Sequence, residues 1–85
     1  MVILFKPAFI RQYKNLDSQL KEEVKEKIDL FKNPKKHKQL KVHKLTGRLS
    51  SRYSFSVNYK FRIVFSYASK NSVVLLAIGD HNIYK

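Results

Sequence analysis

The chain has 85 residues, a formal net charge of +12 and no cysteine, and these properties already exclude several kinds of protein. A chain of this length forms one domain, residues 1–85, whose small core leaves no room for a deep substrate cavity. The lack of cysteine excludes a disulfide framework, a thiolate zinc site and a cysteine nucleophile, and the apolar runs are too short for a signal peptide or a membrane span, so we expect a cytoplasmic protein.

The N-terminal third predicts one strand followed by two helices. Residues 2–5 are β-prone, and Pro7 suits the first turn of a helix because its missing N–H would have no partner there. We expect this first helix over residues 7–15. Asp17 or Ser18 can cap a second helix. Apolar residues recur at helical spacing along one side of that second helix: Leu20, Val24, Ile28 and Phe31.

The remainder of the chain predicts strands joined by a basic connection. The connection covers residues 35–49, with a short strand or turn near 45–49. Alternating apolar residues over about 51–58 and 61–67 predict two paired strands, and 73–78 predicts a buried central strand. The element order is therefore β-α-α-β-β-β. We expect an α+β domain with an antiparallel sheet of about four strands and both N-terminal helices on one face.

Positive charge is concentrated in the part of the chain that contains the strands. Residues 1–31 have six Lys and Arg against five Asp and Glu, a net charge of +1, and residues 32–85 have twelve against one, a net charge of +11. We therefore expect a polyanionic partner, with nucleic acid favoured over an anionic membrane or an acidic protein. The polar face of the predicted strand pair carries Arg52, Ser54, Ser56 and Arg62.

Several common catalytic motifs are missing. The sequence has no phosphate-binding or dinucleotide-binding glycine pattern, no zinc-ligand spacing and no paired carboxylates, and a single acidic residue follows position 31. We therefore expect no metal and no cofactor. The remaining His, Lys, Arg and Tyr side chains suit acid–base and electrostatic work on a phosphodiester. Arg62 either grips a phosphate from a rigid strand or covers the sheet with its stem.

The sequence leaves two roles open for His81, His43 and Tyr84. His81, after the predicted central strand, is either a solvated residue or a group that exchanges protons near neutrality, where histidine ordinarily titrates. His43 is a weaker candidate of the same kind, and His37, inside a lysine run, is interpreted as solvated. Tyr84 either stacks on a base or packs locally. The lysines between positions 32 and 44 are interpreted as a solvated face, with Lys44 the best placed to reach a substrate.

Three segments carry a family resemblance: HKLTGRLSSRYSFSV, YKFRIVF and LLAIGDHNIYK. Together with the element order, they resemble the RelE/ParE toxin superfamily of bacterial type II toxin–antitoxin systems, and most closely its YafQ-like and HigB-like branches. The resemblance spans nearly the whole chain. It implies a ribosome-dependent endoribonuclease that cleaves mRNA by attack of the RNA's own 2′-OH, without a metal or cofactor. The implied partners are mRNA on the ribosome, ribosomal RNA and a cognate antitoxin with an acidic segment, and no membrane.

The resemblance also implies roles for individual residues. His81 matches the leading general acid or base, and Arg62 matches the group that stabilises charge on the scissile phosphate. His43 matches a loop acid–base position, and Tyr84 matches an aromatic residue that orients the nucleotide. Supporting RNA contacts would come from Lys41, Lys44, Arg48 and Arg52. The YafQ branch has an acidic and an aromatic residue near the turn at residues 58–60, which here reads Asn-Tyr-Lys, with no carboxylate.

Two other functions remain open from the sequence. A ParE-like protein shares the fold but inhibits DNA gyrase and needs no catalytic residues, and the pairing of His81 with Arg62 argues against it. A non-catalytic RNA-binding module would need the positive charge alone.

Overall fold

A five-stranded mixed sheet with two helices makes up the computed structural model, which describes residues 1–47 and 51–80. The strand order across the sheet is β1-β5-β4-β3-β2. A short 3₁₀ turn, Pro34–Lys36, follows the second helix. The elements are β1 (Val2–Phe5), α1 (Pro7–Lys14), α2 (Ser18–Phe31), β2 (His43–Lys44), β3 (Tyr53–Ser56), β4 (Phe61–Ser69) and β5 (Ser72–Asp80).

The α+β class is confirmed, but the sheet differs from the expected one in its outer strands. β1 pairs in parallel with β5, starting with Val2 opposite Ser72, whereas the pairs β5–β4, β4–β3 and β3–β2 are antiparallel. β2 has only two residues and pairs with β3. The expected antiparallel sheet of about four strands is thus a mixed sheet of five. A four-residue apolar run does not reveal its direction, which here depends on contact with the other end of the chain.

Both helices begin where their sequences predict. Pro7 occupies the first turn of α1. The Asp17 side chain accepts a hydrogen bond from the Leu20 N–H at 2.8 Å and so caps α2. Val24 and Phe31 in α2 are buried, which confirms the apolar stripe. No helix in the two described ranges is long and apolar enough to cross a bilayer.

The core lies between the helices and one face of the sheet. Phe31 of α2 stacks on Phe55 of β3 with ring centroids 4.4 Å apart, and it meets Phe65 of β4 edge-on at 4.8 Å. These rings are completely buried, as is Ile63. The alternation that predicted a core face on the strand pair is therefore confirmed. Burial of large aromatic side chains supplies much of the stability of so small a domain.

The opposite face of the sheet is called here the outer face. The strand register brings His43, Ser54, Val64 and Ala77 into a row across it, and Arg62 lies two residues from Val64 on the same side. Ser54 and Val64 are buried and Arg62 is half-buried. The outer face is therefore less open than strand alternation alone suggested.

His37 has a structural role that the lysine-rich sequence around it concealed. Its ring stacks on Phe31 at 4.7 Å between centroids, and its Nε2 donates to the Phe31 carbonyl oxygen at 2.8 Å. That carbonyl belongs to the last turn of α2, where helical partners run out. The interpretation of His37 as a solvated residue was wrong, because a ring contact and a helix-end hydrogen bond fix it.

Candidate nucleic-acid interface

The predicted site residues fall into two groups with respect to the structure. His43, Arg62, Lys41, Lys44 and Arg52 lie within the described residues. The predictions for the remaining positions fall outside the described residues: Arg48, His81 and Tyr84.

His43 is held in one orientation by the backbone that precedes it. Its Nδ1 donates to the carbonyl oxygen of Lys41 at 2.9 Å. In the neutral ring this leaves the lone pair on Nε2, and Nε2 lies 3.4 Å from the Ser54 hydroxyl oxygen across the strand pair. His43 itself is exposed. An exposed imidazole with a fixed tautomer suits the role of a general base.

The backbone of Lys41 makes this orientation of His43 possible. Lys41 has a φ of 58°, and it is the one residue other than glycine with positive φ in the described ranges. This left-handed conformation costs an ordinary residue roughly 1–2 kcal/mol. It turns the Lys41 carbonyl toward the ring two residues ahead. Backbone strain of this kind tends to occur at functional sites.

Arg62 is fixed by backbone carbonyls at the end of the β3–β4 turn. Its Nη1 donates to the carbonyl oxygens of Asn58 and Phe61, at 2.6 and 3.1 Å. Within residues 1–47 and 51–80, Nε and Nη2 have no hydrogen-bond partner. A guanidinium held on one side with donors left on the other is suited to binding an anion.

The turn that holds Arg62 is itself braced by Asn58. The Asn58 Oδ1 accepts from the backbone N–H groups of Lys60 and Phe61, at 2.9 and 2.8 Å. Its Nδ2 donates to Glu23 Oε2 of α2 at 2.8 Å. The sequence led us to expect a turn without a carboxylate, yet α2 supplies one. An asparagine in a turn is a recognisable signal, whereas its partner lies far away in the sequence and carries none.

His43 and Arg62 share the outer face but are not in contact. Two strand spacings and two residues along β4 separate them, which puts their Cα atoms roughly 12 Å apart. The structure thus places these two described members of the predicted set on one face of the sheet without contact between them.

Two of the predicted RNA contacts, Lys44 and Arg52, lie in different parts of the fold. Lys44 alternates with His43 along β2, so it faces the opposite side of the sheet and does not join the outer face. Arg52 lies beside a groove of about 320 Å³ whose floor is Val64, Leu76 and Ala77. Lys6, which the sequence did not single out, also lines that groove.

A second groove adjoins Arg62 and is called here the basic groove. It lies between α2, the loop before β2 and the β3–β4 turn, and its volume is about 260 Å³. Lys41, whose carbonyl accepts from His43, lines it together with Arg62, and His43 itself lies outside its lining. The other side chains that matter for its chemistry are Lys27, Ser56, Asn58 and Tyr59.

A third groove, between α1 and α2, differs in chemistry from the other two. It measures about 580 Å³ and is lined mainly by apolar side chains, including Phe9, Ile10 and Ile28. Its described lining contains neither histidine nor arginine. No three His, Asp or Glu side chains in the described ranges are placed to bind a metal ion together; the expectation of a metal-free protein stays a prediction.

Comparison with known proteins identifies the fold. No protein-family model matches the chain, and no curated protein is significantly similar to it. Solved structures do match. YafQ from E. coli strain BL21(DE3) has a TM-score of 0.79 at 13% identity, covering 96% of this chain and 94% of that one. The YoeB–YefM toxin–antitoxin complex from Staphylococcus aureus gives 0.74 at 21% identity, covering 95% and 97%.

A third match is the toxin–antitoxin complex RelBE2 from Mycobacterium tuberculosis, with a TM-score of 0.71 at 15% identity, covering 94% of this chain and 96% of that one. The chain therefore has the fold of YafQ-, YoeB- and RelE-type toxins over nearly its whole length. The fold that the sequence resemblance implied is confirmed.

Proposed function

We propose that this protein is the toxin of a type II toxin–antitoxin system and acts as an endoribonuclease on mRNA at the ribosome. The observation that carries the proposal is the arrangement of His43 and Arg62. A histidine with a fixed tautomer and an arginine with unused donors share one face of a fold found in such toxins. Inhibition of DNA gyrase would need neither group.

The proposed chemistry uses the RNA's own 2′-hydroxyl as the nucleophile. His43 Nε2 takes the 2′-OH proton, the 2′-oxygen bonds to phosphorus, and the Arg62 guanidinium stabilises the added negative charge. The bond from phosphorus to the 5′-oxygen then breaks, and that oxygen receives a proton from a general acid, the role we assign to His81. The products are a 2′,3′-cyclic phosphate and a 5′-hydroxyl end. Tyr84 would orient the nucleotide.

The proposed RNA contacts lie around these residues. Arg52 and Lys6 border the groove beside Val64, and Lys41 lines the basic groove. Cations positioned this way bind phosphates without reading sequence. Lys44 and Arg48 stay predicted contacts to mRNA or ribosomal RNA. Since the ribosome is the proposed place of action, the proposed location is the cytoplasm.

The proposed protein partner is a cognate antitoxin. Two of the similar structures are toxin–antitoxin complexes, YoeB–YefM and RelBE2. We expect an acidic segment of the antitoxin to cover the cations of the basic half of the chain, because complementary charge guides such association and blocks access to RNA.

The test is a cleavage assay on translating ribosomes, with the ends of the RNA fragments mapped. We expect cuts in the A-site codon that leave a cyclic phosphate. Arg62→Ala and His81→Ala should each lower the cleavage rate by about 10²-fold or more. Lys70→Ala is the matched control for charge, since Lys70 is exposed in the β4–β5 turn, at the end of β4 far from Arg62.

The assay can also contradict the proposal. Absence of cuts by the native protein, combined with inhibition of DNA gyrase, would make this a ParE-like inhibitor. Absence of both activities with retained RNA binding would make it a binding module without catalysis. Equal loss of activity in Arg62→Ala and Lys70→Ala would show that Arg62 contributes only its charge and would contradict its assigned role.

A further inference from the structure

The basic groove has the charge and size to hold a phosphate. Three cationic side chains line it, and they come from different elements: Lys27 from α2, Lys41 from the loop before β2, and Arg62 from β4. No Asp or Glu belongs to its lining in the described ranges. A volume of about 260 Å³ accommodates a phosphate with its attached sugar. Converging cations are characteristic of an anion site, and the two nearest carboxylates already have partners, Glu23 in Asn58 and Glu26 in Lys27.

The donors in this groove are available to a ligand. Arg62 uses Nη1 for the turn and keeps its other nitrogens for an incoming anion. The Lys27 Nζ lies 3.8 Å from Glu26 Oε1, an ion pair whose glutamate is two-thirds exposed. Such surface pairs contribute little, so Lys27 can turn to a phosphate at small cost.

Tyr59 adds an exposed aromatic ring at the rim of the groove. It is 93% exposed, the highest value for a large hydrophobic residue in the described ranges. The turn that carries it is fixed by the hydrogen bonds of Asn58 to Lys60, Phe61 and Glu23. A solvent-facing ring on a turn whose backbone is held in place is a platform on which an unpaired base can stack.

The groove also adjoins the candidate catalytic residues. Lys41 accepts a hydrogen bond from His43 with its carbonyl and also lines the groove, and Arg62 belongs to both the groove and the candidate site. A ligand in the groove therefore lies directly beside the place where the scissile phosphate would bind.

We propose that the basic groove binds single-stranded RNA next to the cleavage point, with one backbone phosphate between Lys27, Lys41 and Arg62 and one base stacked on Tyr59. The inference rests on the proposed function for the identity of the substrate. It adds Lys27, which neither the sequence pattern nor the family resemblance indicated, and it gives a binding role to Tyr59, which lies in the turn where the YafQ branch has an aromatic residue.

The test measures binding of a fluorescein-labelled 2′-O-methyl RNA hexanucleotide by fluorescence anisotropy over a range of salt concentrations. This probe cannot be cleaved, because its 2′-oxygen cannot attack, and no ribosome is present. Lys27→Gln should weaken binding and flatten the slope of log affinity against log salt by about 0.7. Tyr59→Ala should weaken binding roughly five- to a hundredfold, whereas Tyr59→Phe keeps the ring and should bind as the native protein does.

Lys25→Gln is the matched control for Lys27→Gln. Lys25 lies on the same helix, also forms an ion pair with a glutamate, Glu22, and lies outside the basic groove; its side chain is 64% exposed and that of Lys27 27%. Equal binding by the two variants, or equal binding by Tyr59→Ala and Tyr59→Phe, would overturn the proposal. If Lys27→Gln weakens binding of polyglutamate as much as of RNA and Tyr59→Ala has no effect, the groove is a non-specific polyanion surface and the proposal is wrong.

The outcome of this experiment is independent of the cleavage assay. Loss of binding in Lys27→Gln and Tyr59→Ala would support the RNA site even if the native protein makes no cuts on ribosomes. Cleavage with unchanged oligonucleotide binding in both variants would support the proposed function and refute the groove.

Discussion

At the scale of single residues, Lys41 connects backbone geometry to the chemistry of the site. Its left-handed conformation, with φ at 58°, aims its carbonyl at the His43 ring. The same residue contributes a cation to the basic groove. A lysine is an unusual choice at such a φ, because glycine adopts it without steric cost. The backbone and the side chain of Lys41 therefore have separate roles that can be tested separately.

At position 41 a glycine variant should be more stable than an alanine variant, the reverse of the order found at most positions. Lys41→Gly should be more stable than Lys41→Ala by about 1 kcal/mol, because alanine keeps the steric cost of positive φ. The free energy of unfolding in urea measures the difference. Lys38 is the matched control, since it lies in the same loop and has no positive φ, and there alanine should be at least as stable as glycine. Alanine more stable than glycine at position 41 as well would contradict the strained backbone.

At the scale of elements, the β3–β4 turn is the part on which the candidate site depends. Asn58 closes the turn through its own side chain and ties it to α2 through Glu23. The carbonyls of that turn fix Arg62. A helix on the core side of the sheet thereby restrains a cation on the outer face. The position of Arg62 is set by three elements rather than by its own strand alone.

Asn58→Ala should destabilise the protein by about 1–3 kcal/mol, because it removes the partners of two turn N–H groups and of the Glu23 carboxylate. Asn15→Ala is the control, since Asn15 is exposed at the end of α1. Urea unfolding gives the stability, and the cleavage assay gives the effect on activity. We expect activity to fall even at temperatures where the variant stays folded, because Arg62 loses its support. Full activity in a folded variant would refute that dependence.

At the scale of the whole molecule, charge is divided between the two sides of the fold. The acidic residues are concentrated on α2, where Glu22, Glu26 and Asp29 form ion pairs with neighbouring lysines. The segment after α2 holds nearly all of the net positive charge. Most of the net positive charge therefore lies in the loop and strand segments, and Lys27 is the α2 lysine that lines the basic groove with them.

The effect of neutralising lysines on RNA affinity should depend on where the lysines lie, and not only on how many are neutralised. RNA affinity should fall steeply with salt, with a log–log slope of about −0.7 for each phosphate neutralised. Neutralising three loop lysines should reduce this slope more than neutralising three helix lysines, although both variants have the same net charge. Oligonucleotide binding across salt concentrations measures it, and equal slopes would contradict a one-sided interface. The two triple variants are Lys35, Lys36 and Lys38 to Gln, and Lys14, Lys21 and Lys25 to Gln.

Much of the fold could be predicted because its signals are local. Strand alternation identified Phe55, Ile63 and Phe65 as core, and Pro7 and Asp17 marked the helix starts, since each acts through its nearest neighbours in the chain. The parallel direction of β1 could not be predicted, because it is decided by pairing with β5 at the other end of the chain.

The candidate site could be predicted in part for the same reason. Residue type and strand position singled out Arg62, whereas His43 was a weaker candidate in the predicted basic connection, raised by the family resemblance; the structure places it in β2. The features that orient these two residues could not be predicted. The positive φ of Lys41 is a backbone conformation with no sequence signal at a lysine, and the hydrogen bond between Glu23 and Asn58 joins distant parts of the chain. For His37 the local sequence was misleading. Its lysine-rich neighbours suggested a solvated residue, whereas its ring packs on Phe31 and caps a helix.

The pairing of β1 with β5 has a consequence for the synthesis of the protein. Residues 2–5 find their strand partner only in residues 72–75, so β1 cannot pair until β5 has been synthesised. A nascent chain that stalls before β5 lacks the neighbour of both β1 and β4. The sheet therefore cannot close before β5 has been synthesised, and products that end before β5 should be inert targets for proteases rather than partly active proteins.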